Sequence, residues 1–332
     1  MILVKILECS TKGDKRFSAL YAKVQVIVNG VKSFDSIEVH YQNSKEYLDE
    51  QGNFVKAKDW KEAKHWQHLG KKPIRMNING KIFPLDFHSQ YYKMLWVKYL
   101  DSNPDLVTFA SQYDDFTDSF RRENTMNCQA DVIRQFIKEG RNSVLSDCQP
   151  LILALKGDYV MEVIGDLLEA KEMVIGHQVN CLGVMGGGLA KLIKEKYPSV
   201  FNKYDALCKM AKIAENGRKL MGCCHMVEVR EDVIIKDNVA KVYPVGDGEL
   251  VRVVANLFGQ YKIGTNQQRT EVSYLRKALE VMKKTSMEKG YSVALPYQLG
   301  CGLGGGEWAE ILSTIKDVFD DYPVTIYRLP NV

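Results

Sequence analysis

HQVNCLGVMGGGLAKLIKEKYP, residues 177–198, is the stretch on which the reading of the chain turns. It closes a strand-like apolar run (MVIGHQVN, 173–180), passes through Gly183, Gly186, Gly187 and Gly188, and opens a helix-like run near Leu189. Glycine lets backbone N–H groups approach an anion closely, and the helix that follows offers the anion its positive N-terminus. The pattern returns at YSVALPY (291–297), which leads into Gly300, Gly302, Gly304, Gly305 and Gly306 and a helix-like run from Glu307. One such loop is as readily an ordinary connection. Two at the carboxyl ends of strands predict a cradle for a diphosphate. No GxxxxGK[ST] occurs, and no acidic residue stands at a strand end about 20 residues on. The cradle therefore reads as one that recognises a nucleotide diphosphate, not as an NTPase or a dinucleotide fingerprint.

Working outward, short strand-like runs (159–168, 253–258, 324–329) alternate with helix-like runs (187–204, 270–290, 307–322). That alternation predicts an α/β fold with helices layered on a mixed sheet. The first 140 residues read differently, being aromatic, basic and poor in glycine. DWKEAKHWQHL (59–69) and HSQYYKMLWVKYLDSNPDL (88–106) have helical spacing, with Trp96, Tyr99 and Leu100 on one face. Tyr21, Val24, Val26 and Val28, followed by Asn29-Gly30, predict a strand entering a turn. This half is expected to be a mainly helical α+β domain over 1–145. The polar, Pro-containing segment 140–152 reads as the boundary, with the second domain over 150–332.

Composition narrows the class. The 332 residues are 45% apolar, and 45 Lys and Arg against 41 Asp and Glu leave a net charge of only +4. Disorder is excluded by that balance, and no basic stripe with interleaved aromatics stands out to suggest a pure nucleic-acid binder. Eight cysteines lie scattered without a CxxC pair, and no HExxH occurs, so no structural metal is expected. No membrane span and no secretory signal is read, which suggests a cytoplasmic protein.

Four motifs carry a resemblance. VIGDLLEA (163–170), the loop 177–198, VANLFGQY (254–261) and LPYQLGCGLGGGEW (295–308) resemble, in order, those of macrodomains, the ADP-ribose-binding fold. The branch they resemble includes ADP-ribose 1″-phosphate phosphatases and acyl-ADP-ribose hydrolases. The resemblance implies a three-layer α/β domain binding ADP-ribose. Asp166 and Leu167 would hold adenine, and Asn180 would bond the distal ribose, at the bond to be cleaved. Met185, Gly186, Gly187, Gly188 and Leu189 would face the ribose and diphosphate. Phe258 and Gln260 would end the strand beside them, and Gly300, Cys301, Gly302, Leu303 and Gly304 would close over the phosphates. Some hydrolases of this branch place an acid where this chain has Gly304, with Glu307 three residues later. Lys194 and Lys196 stand where a nucleophilic lysine is expected, or are simply solvated. Cys181 and Cys301 read as small loop residues.

In the first half, Glu38 and Lys45 stand seven apart with Tyr41 and Gln42 between them. On one helix they would share a face, either as an exposed ion pair or as an acid and a cation for cleaving an N-glycosidic bond. Arg16-Phe17-Ser18, a Gly30 turn, then Ser36-Ile37-Glu38-x-x-Tyr41-Gln42-x-x-Lys45 resembles the opening of NADAR domains. Asp114 and Phe116 match a later motif of that family, with Thr117-Asp118 in place of Trp-Gly. Trp60, Trp66 or Trp96 could supply the missing ring, or belong to the core. Arg121, Arg122 and Arg134 could face phosphate or solvent. The NADAR resemblance implies an ADP-ribose-processing domain with Glu38, Lys45 and Asp114 catalytic and Arg16, Phe17, Ser18, Tyr41 and Gln42 around the ligand.

Together these imply an ADP-ribosyl hydrolase acting on a modified nucleobase or other acceptor. Water would be its co-substrate, no cofactor would be needed, and its oligomeric state is not legible. Its role would be to reverse toxin- or defence-imposed ADP-ribosylation. The rival readings are a phage-like anti-defence sponge that sequesters a NAD-derived signal, and a phosphatase of ADP-ribose 1″-phosphate.

Overall fold

The computed structural model describes the chain apart from residues 1–3, 29, 119–128, 215–216, 232, 237–238, 243–246, 265–267 and 331–332. Asn29, Arg121 and Arg122 lie outside the described residues. The chain divides into two units, Met1–Gly157 and Asp158–Val332.

In the first unit, β1 (Ile6–Glu8) leads through a turn to the hairpin of β2 (Lys23–Val28) and β3 (Val31–Ser36). Helix α1 (Ile37–Asn43) follows, then β4 (Lys45–Leu48), β5 (Phe54–Val55), α2 (Trp60–His68), β6 (Arg75–Ile78) and β7 (Lys81–Pro84). The helices α3 (His88–Asp101) and α4 (Pro104–Ala110), strand β8 (Asp115–Thr117) and helices α5 (Gln129–Glu139), α6 (Arg141–Ser146) and α7 (Gln149–Leu155) complete it. Its sheets are small: β1 beside β8, β2 beside β3, and the order β5-β4-β6-β7. The core forms around α3, whose fully buried Trp96 meets Tyr92 and Tyr99 edge-on at 6.5 and 5.7 Å. Burying such large rings stabilises by roughly 2–3 kcal/mol each, which lets small sheets suffice.

Two local details differ from expectation. Segment 140–152, read as a boundary, forms α6 and α7, because its polar residues are helix-terminal punctuation and Pro150 sits in the first turn of α7. Tyr21 precedes β2 and does not belong to it.

The second unit runs β9 (Val160–Ile164), β10 (Val174–Asn180), α8 (Gly188–Lys196), α9 (Pro198–Ile213), β11 (Cys224–Glu231), β12 (Val233–Lys236) and β13 (Val239–Val242). It continues with β14 (Glu249–Gln260), α10 (Val272–Lys289), β15 (Val293–Pro296), α11 (Trp308–Val318) and β16 (Val324–Arg328). Six strands form one sheet in the order β11-β14-β10-β15-β16-β9. All neighbours pair in parallel except β11, which runs antiparallel to β14. The sheet is therefore mixed, as expected. Helices cover both faces: Ile175 packs with Ile193 of α8 and Val200 of α9. On the opposite face, a Cβ added at Gly176 would stand 3.0 Å from the Met282 sulfur of α10. The single helical run expected over 187–204 breaks at Tyr197, since Pro198 opens α9. No helix among the described residues is long and apolar enough to cross a membrane.

Candidate functional sites

In the first unit, the Ser36 hydroxyl caps α1 by accepting from the Val39 N–H (3.3 Å), and Glu38 follows in the first turn. The helix stops at Asn43 because Ser44 turns its hydroxyl back onto the Tyr41 carbonyl (2.7 Å). Lys45 then opens β4, paired with Met76 of β6. The helical spacing expected for Glu38 and Lys45 is thus corrected, yet the two are linked. Gln42 Nε2 donates to Glu38 Oε1 (2.9 Å), and Lys45 Nζ donates to Gln42 Oε1 (3.2 Å).

Lys45 is buried, its ammonium 3.8 Å from the centre of the Tyr41 ring. Burial pulls its pKa down to about 8, against the opposing pull of the Glu38 charge. Around it, burial raises Tyr91 to about 12 and Tyr92 well above the ordinary range. The Glu38 and Asp118 charges both add to the shift of Tyr92, which places Asp118 near this cluster. Burial, then the Lys45 charge, lowers His88, whose buried Nδ1 has no hydrogen-bond partner. The result is a carboxylate, a desolvated ammonium and an imidazole inside an aromatic wall. His88 and Asp118 went unread as site residues; their sole signal was chemistry on segments that otherwise read as core.

Other expected residues serve the fold. Phe17 is fully buried against Phe109, and Arg16 is forked onto Asp14 (2.6 Å) with its guanidinium 4.5 Å from the Phe109 ring. Ser18 is buried, its carbonyl accepting from Tyr21 and Ala22. This turn is tied to α1 through the Glu38 N–H, which donates to the Ala19 carbonyl (2.9 Å). Asp114 is exposed and accepts from the Lys5 N–H (2.8 Å), fastening β1 beside β8. Arg134 is consumed by Asp115, Asp131 and the Phe116 carbonyl. Trp96 is core, and Trp66 packs edge-on to Tyr47.

The second unit holds a cavity of about 770 Å³, within the range of roughly 300–1,000 Å³ usual for small-ligand sites. Gly186, Gly187, Gly188 and Leu189 line one side, and Gly300, Gly302, Leu303 and Gly304 another, with Asn180 and Gln260 at the strand ends. Both glycine loops therefore reach one space. Gly187 caps α8 with no side chain on the helix N-terminus, which leaves backbone N–H groups for an anion. Gly305 and Gly306 do not line it, nor does α11.

The cavity wall holds a polar network that the sequence reading missed. Gln178 Nε2 donates to Gln260 Oε1 (2.7 Å) and to Thr270 Oγ1 (2.8 Å), and Thr270 Oγ1 donates to the Gly300 carbonyl (2.7 Å). Gln178 Oε1 is buried without a partner. His177 Nε2 stands 2.7 Å from Asn256 Oδ1, and burial pulls this imidazole down to about 4, so it is neutral near pH 7. The signal was present as polar residues inside otherwise apolar strands, His177 and Gln178 in β10 and Asn256 and Gln260 in β14. No lysine, arginine, aspartate or glutamate is among the described residues lining the cavity.

Other expected residues of this unit have partners within the fold. The amide of Asn180 is spent on its own loop, donating to the Val184 carbonyl (2.6 Å) and accepting from the Leu182 N–H (2.9 Å). Asp166 caps the turn at Leu167–Glu169 by accepting from the Leu168 N–H (2.9 Å), and Leu167 is core. Met185 and Phe258 are buried with Tyr204. Lys194 lies over the Phe201 ring (3.9 Å), while Lys196 binds the Leu168 carbonyl and Glu169. Burial raises Cys181 to about 12 and Cys301 to about 11, so both remain thiols. At Gly304 a Cβ would stand 2.4 Å from Thr270 Oγ1 and 2.5 Å from the Gly300 carbonyl, so no acid fits there. No cluster of three His, Cys, Asp or Glu able to hold a metal occurs among the described residues.

Comparison with known proteins points the same way for the first unit. Residues 2–150 match the family model described as the DarT1-associated NADAR antitoxin. The chain is 26% identical over 162 residues to a DNA ADP-ribosyl glycohydrolase of Mycobacterium tuberculosis, covering 48% of this chain and 38% of that protein. It is 39% identical over 56 residues to an ADP-ribose 1″-phosphate phosphatase of Aspergillus oryzae, covering 17% of this chain and 28% of that one. The solved macrodomain of Mycobacterium tuberculosis DarG aligns at 24% identity and a TM-score of 0.39, over 51% of this chain and 96% of its own. The chain thus spans well under half the length of these curated relatives.

Proposed function

We propose that the chain removes ADP-ribose from a modified nucleobase in DNA, with hydrolysis in the first unit and ADP-ribose recognition in the second. The observation that carries this reading is the Glu38–Gln42–Lys45 chain, which runs from a half-buried carboxylate to a buried ammonium drawn to about 8. A group with that pKa is protonated at neutral pH yet gives its proton up readily, as a general acid should. In the proposed reaction the bond from the anomeric carbon to the base nitrogen breaks, and its electron pair leaves with the base. Lys45 supplies a proton to that base. Glu38 steadies the developing positive charge and takes a proton from the water that adds to the anomeric carbon. The names of the glycohydrolase relatives and of the NADAR antitoxin family support a role in undoing toxin-imposed ADP-ribosylation.

For the second unit, a cavity lined by glycine loops and neutral polar groups favours holding ADP-ribose without turning it over. The Asn180 amide and the crowding at Gly304 support the same division, since neither position offers a free acid or base.

The test is single-turnover release of ADP-ribose from ADP-ribosylated DNA by the wild type, Glu38→Ala and Gly187→Glu. A Cβ at Gly187 would stand 2.9 Å from Leu303 Cδ1, so a long side chain there obstructs the cavity. Loss with Glu38→Ala alone supports the proposal; loss with Gly187→Glu alone transfers the chemistry to the second unit.

A further inference from the structure

The β2–β3 hairpin carries one face that packs inward and one that, away from the buried Ser36, is exposed among the described residues. Val24 is buried and Val26 partly so, turned toward the core of the first unit. Side chains alternate along a strand, so their neighbours Lys23, Gln25 and Ile27 point the other way. The cross-strand register sets Gln25 opposite Phe34 and Ile27 opposite Lys32. All five are exposed, Phe34 by 67% and Ile27 by 56%. Tyr21, just before β2, is 52% exposed, with the Lys15 ammonium 5.4 Å from its ring centre. No carboxylate stands on this face among the described residues; Asp35 belongs to the opposite one, paired with Val24.

An exposed phenylalanine flanked by ammonium groups and an amide is costly as a bare surface, because apolar area is left in water. As a platform for a polyanion with planar bases it is coherent. Rings stack on bases of any identity, lysines meet phosphates, and the amide can bond a base edge. The location narrows the occupant further. Phe34 is four residues before Glu38, so at most about 14 Å of chain separates them. A duplex buries its bases, and a base must leave the stack to reach a side chain as buried as Lys45.

We propose that this hairpin face docks single-stranded DNA beside the Glu38–Lys45 site, an inference that rests on the hydrolase reading above. Its test uses the full chain and a fluorescent single-stranded DNA oligonucleotide, with RNA of matching sequence as a second arm. Phe34→Ala should weaken DNA binding by about tenfold. The double variant Lys23→Glu, Lys32→Glu should flatten the slope of log affinity against log salt by about 1.4, near 0.7 for each phosphate no longer neutralised. Both variants should keep the wild-type rate on an ADP-ribosylated nucleoside while losing kcat/KM on modified DNA. Binding unchanged by either variant would overturn the proposal, as would a preference for RNA over DNA. Should Glu38→Ala still release ADP-ribose, the hydrolase reading fails while the binding titration stays interpretable.

Discussion

The two candidate sites solve opposite problems of solvation. In the first unit the chain forces an ammonium into a nearly dry aromatic wall and leaves it linked to a carboxylate through one amide. In the second, the described residues lining the cavity are glycines, apolar side chains, amides, Tyr297 and an imidazole that burial keeps neutral, with no Lys, Arg, Asp or Glu. Charged groups with shifted pKa values are what proton transfer requires. Neutral donors around a helix N-terminus are what anion recognition requires. The contrast teaches where desolvated charge is placed in each unit, and the proposed division between chemistry and recognition rests on that placement.

The sharpest way to break that contrast is Glu38→Gln, which should slow ADP-ribose release by about 10²–10⁴-fold. Calorimetry should find ADP-ribose affinity unchanged, and a surviving rate would erase the distinction. Next is Gly304→Ala. Its methyl group would collide with Thr270 and the Gly300 carbonyl, at an overpacking cost of about 1–3 kcal/mol. Calorimetry should then show ADP-ribose bound about 10–100-fold more weakly, with nucleoside cleavage by the first unit intact.

Proton linkage separates the units a third way. Lys45 falls from 10.5 to about 8 on folding, so its burial costs about 3 kcal/mol below pH 8, relieved as pH rises toward 10.5. Lys45→Met should therefore stabilise the first unit by about 1–3 kcal/mol at pH 7, a gain that shrinks above pH 8 in denaturant titrations. The same lysine predicts that wild-type kcat/KM declines above about pH 8, with Lys45→Arg moving that limb upward. His177 falls from 6.5 to about 4, so the second unit should lose stability as pH drops through that window, by about 3 kcal/mol at most. Hydrogen exchange resolved by unit would separate the two effects. The smallest change is Lys194→Ala: its ammonium sits over Phe201, and ADP-ribose affinity should stay within about twofold.

What the sequence made legible follows from how locally each feature is encoded. The glycine loops and the strands before them were readable because glycine spacing and strand runs lie within single segments. The Gln178–Gln260–Thr270 network was not, since three separated segments meet only through the sheet. Lys45 was placed on the wrong element because a helix end depends on Ser44 and on pairing with Met76, neither of which alters the i, i+7 spacing. Leu167, Met185 and Phe258, expected beside the ligand, have their side chains in core clusters, a placement that depends on packing between segments and not on local sequence. The basic and aromatic face of the hairpin escaped a linear scan because Phe34 and Lys32 join Lys23 and Gln25 only across the strand register.

The crowding at Gly304 also constrains how this chain could change over generations. Thr270 and the Gly300 carbonyl fill the space that any side chain at residue 304 would need. A smaller residue 270 would relieve only part of that crowding, because the Gly300 carbonyl belongs to the backbone. Shrinking residue 270 alone removes the hydroxyl that bonds Gln178 and Gly300. A side chain at residue 304 therefore requires changes at more than one position, a coupling that no single substitution escapes.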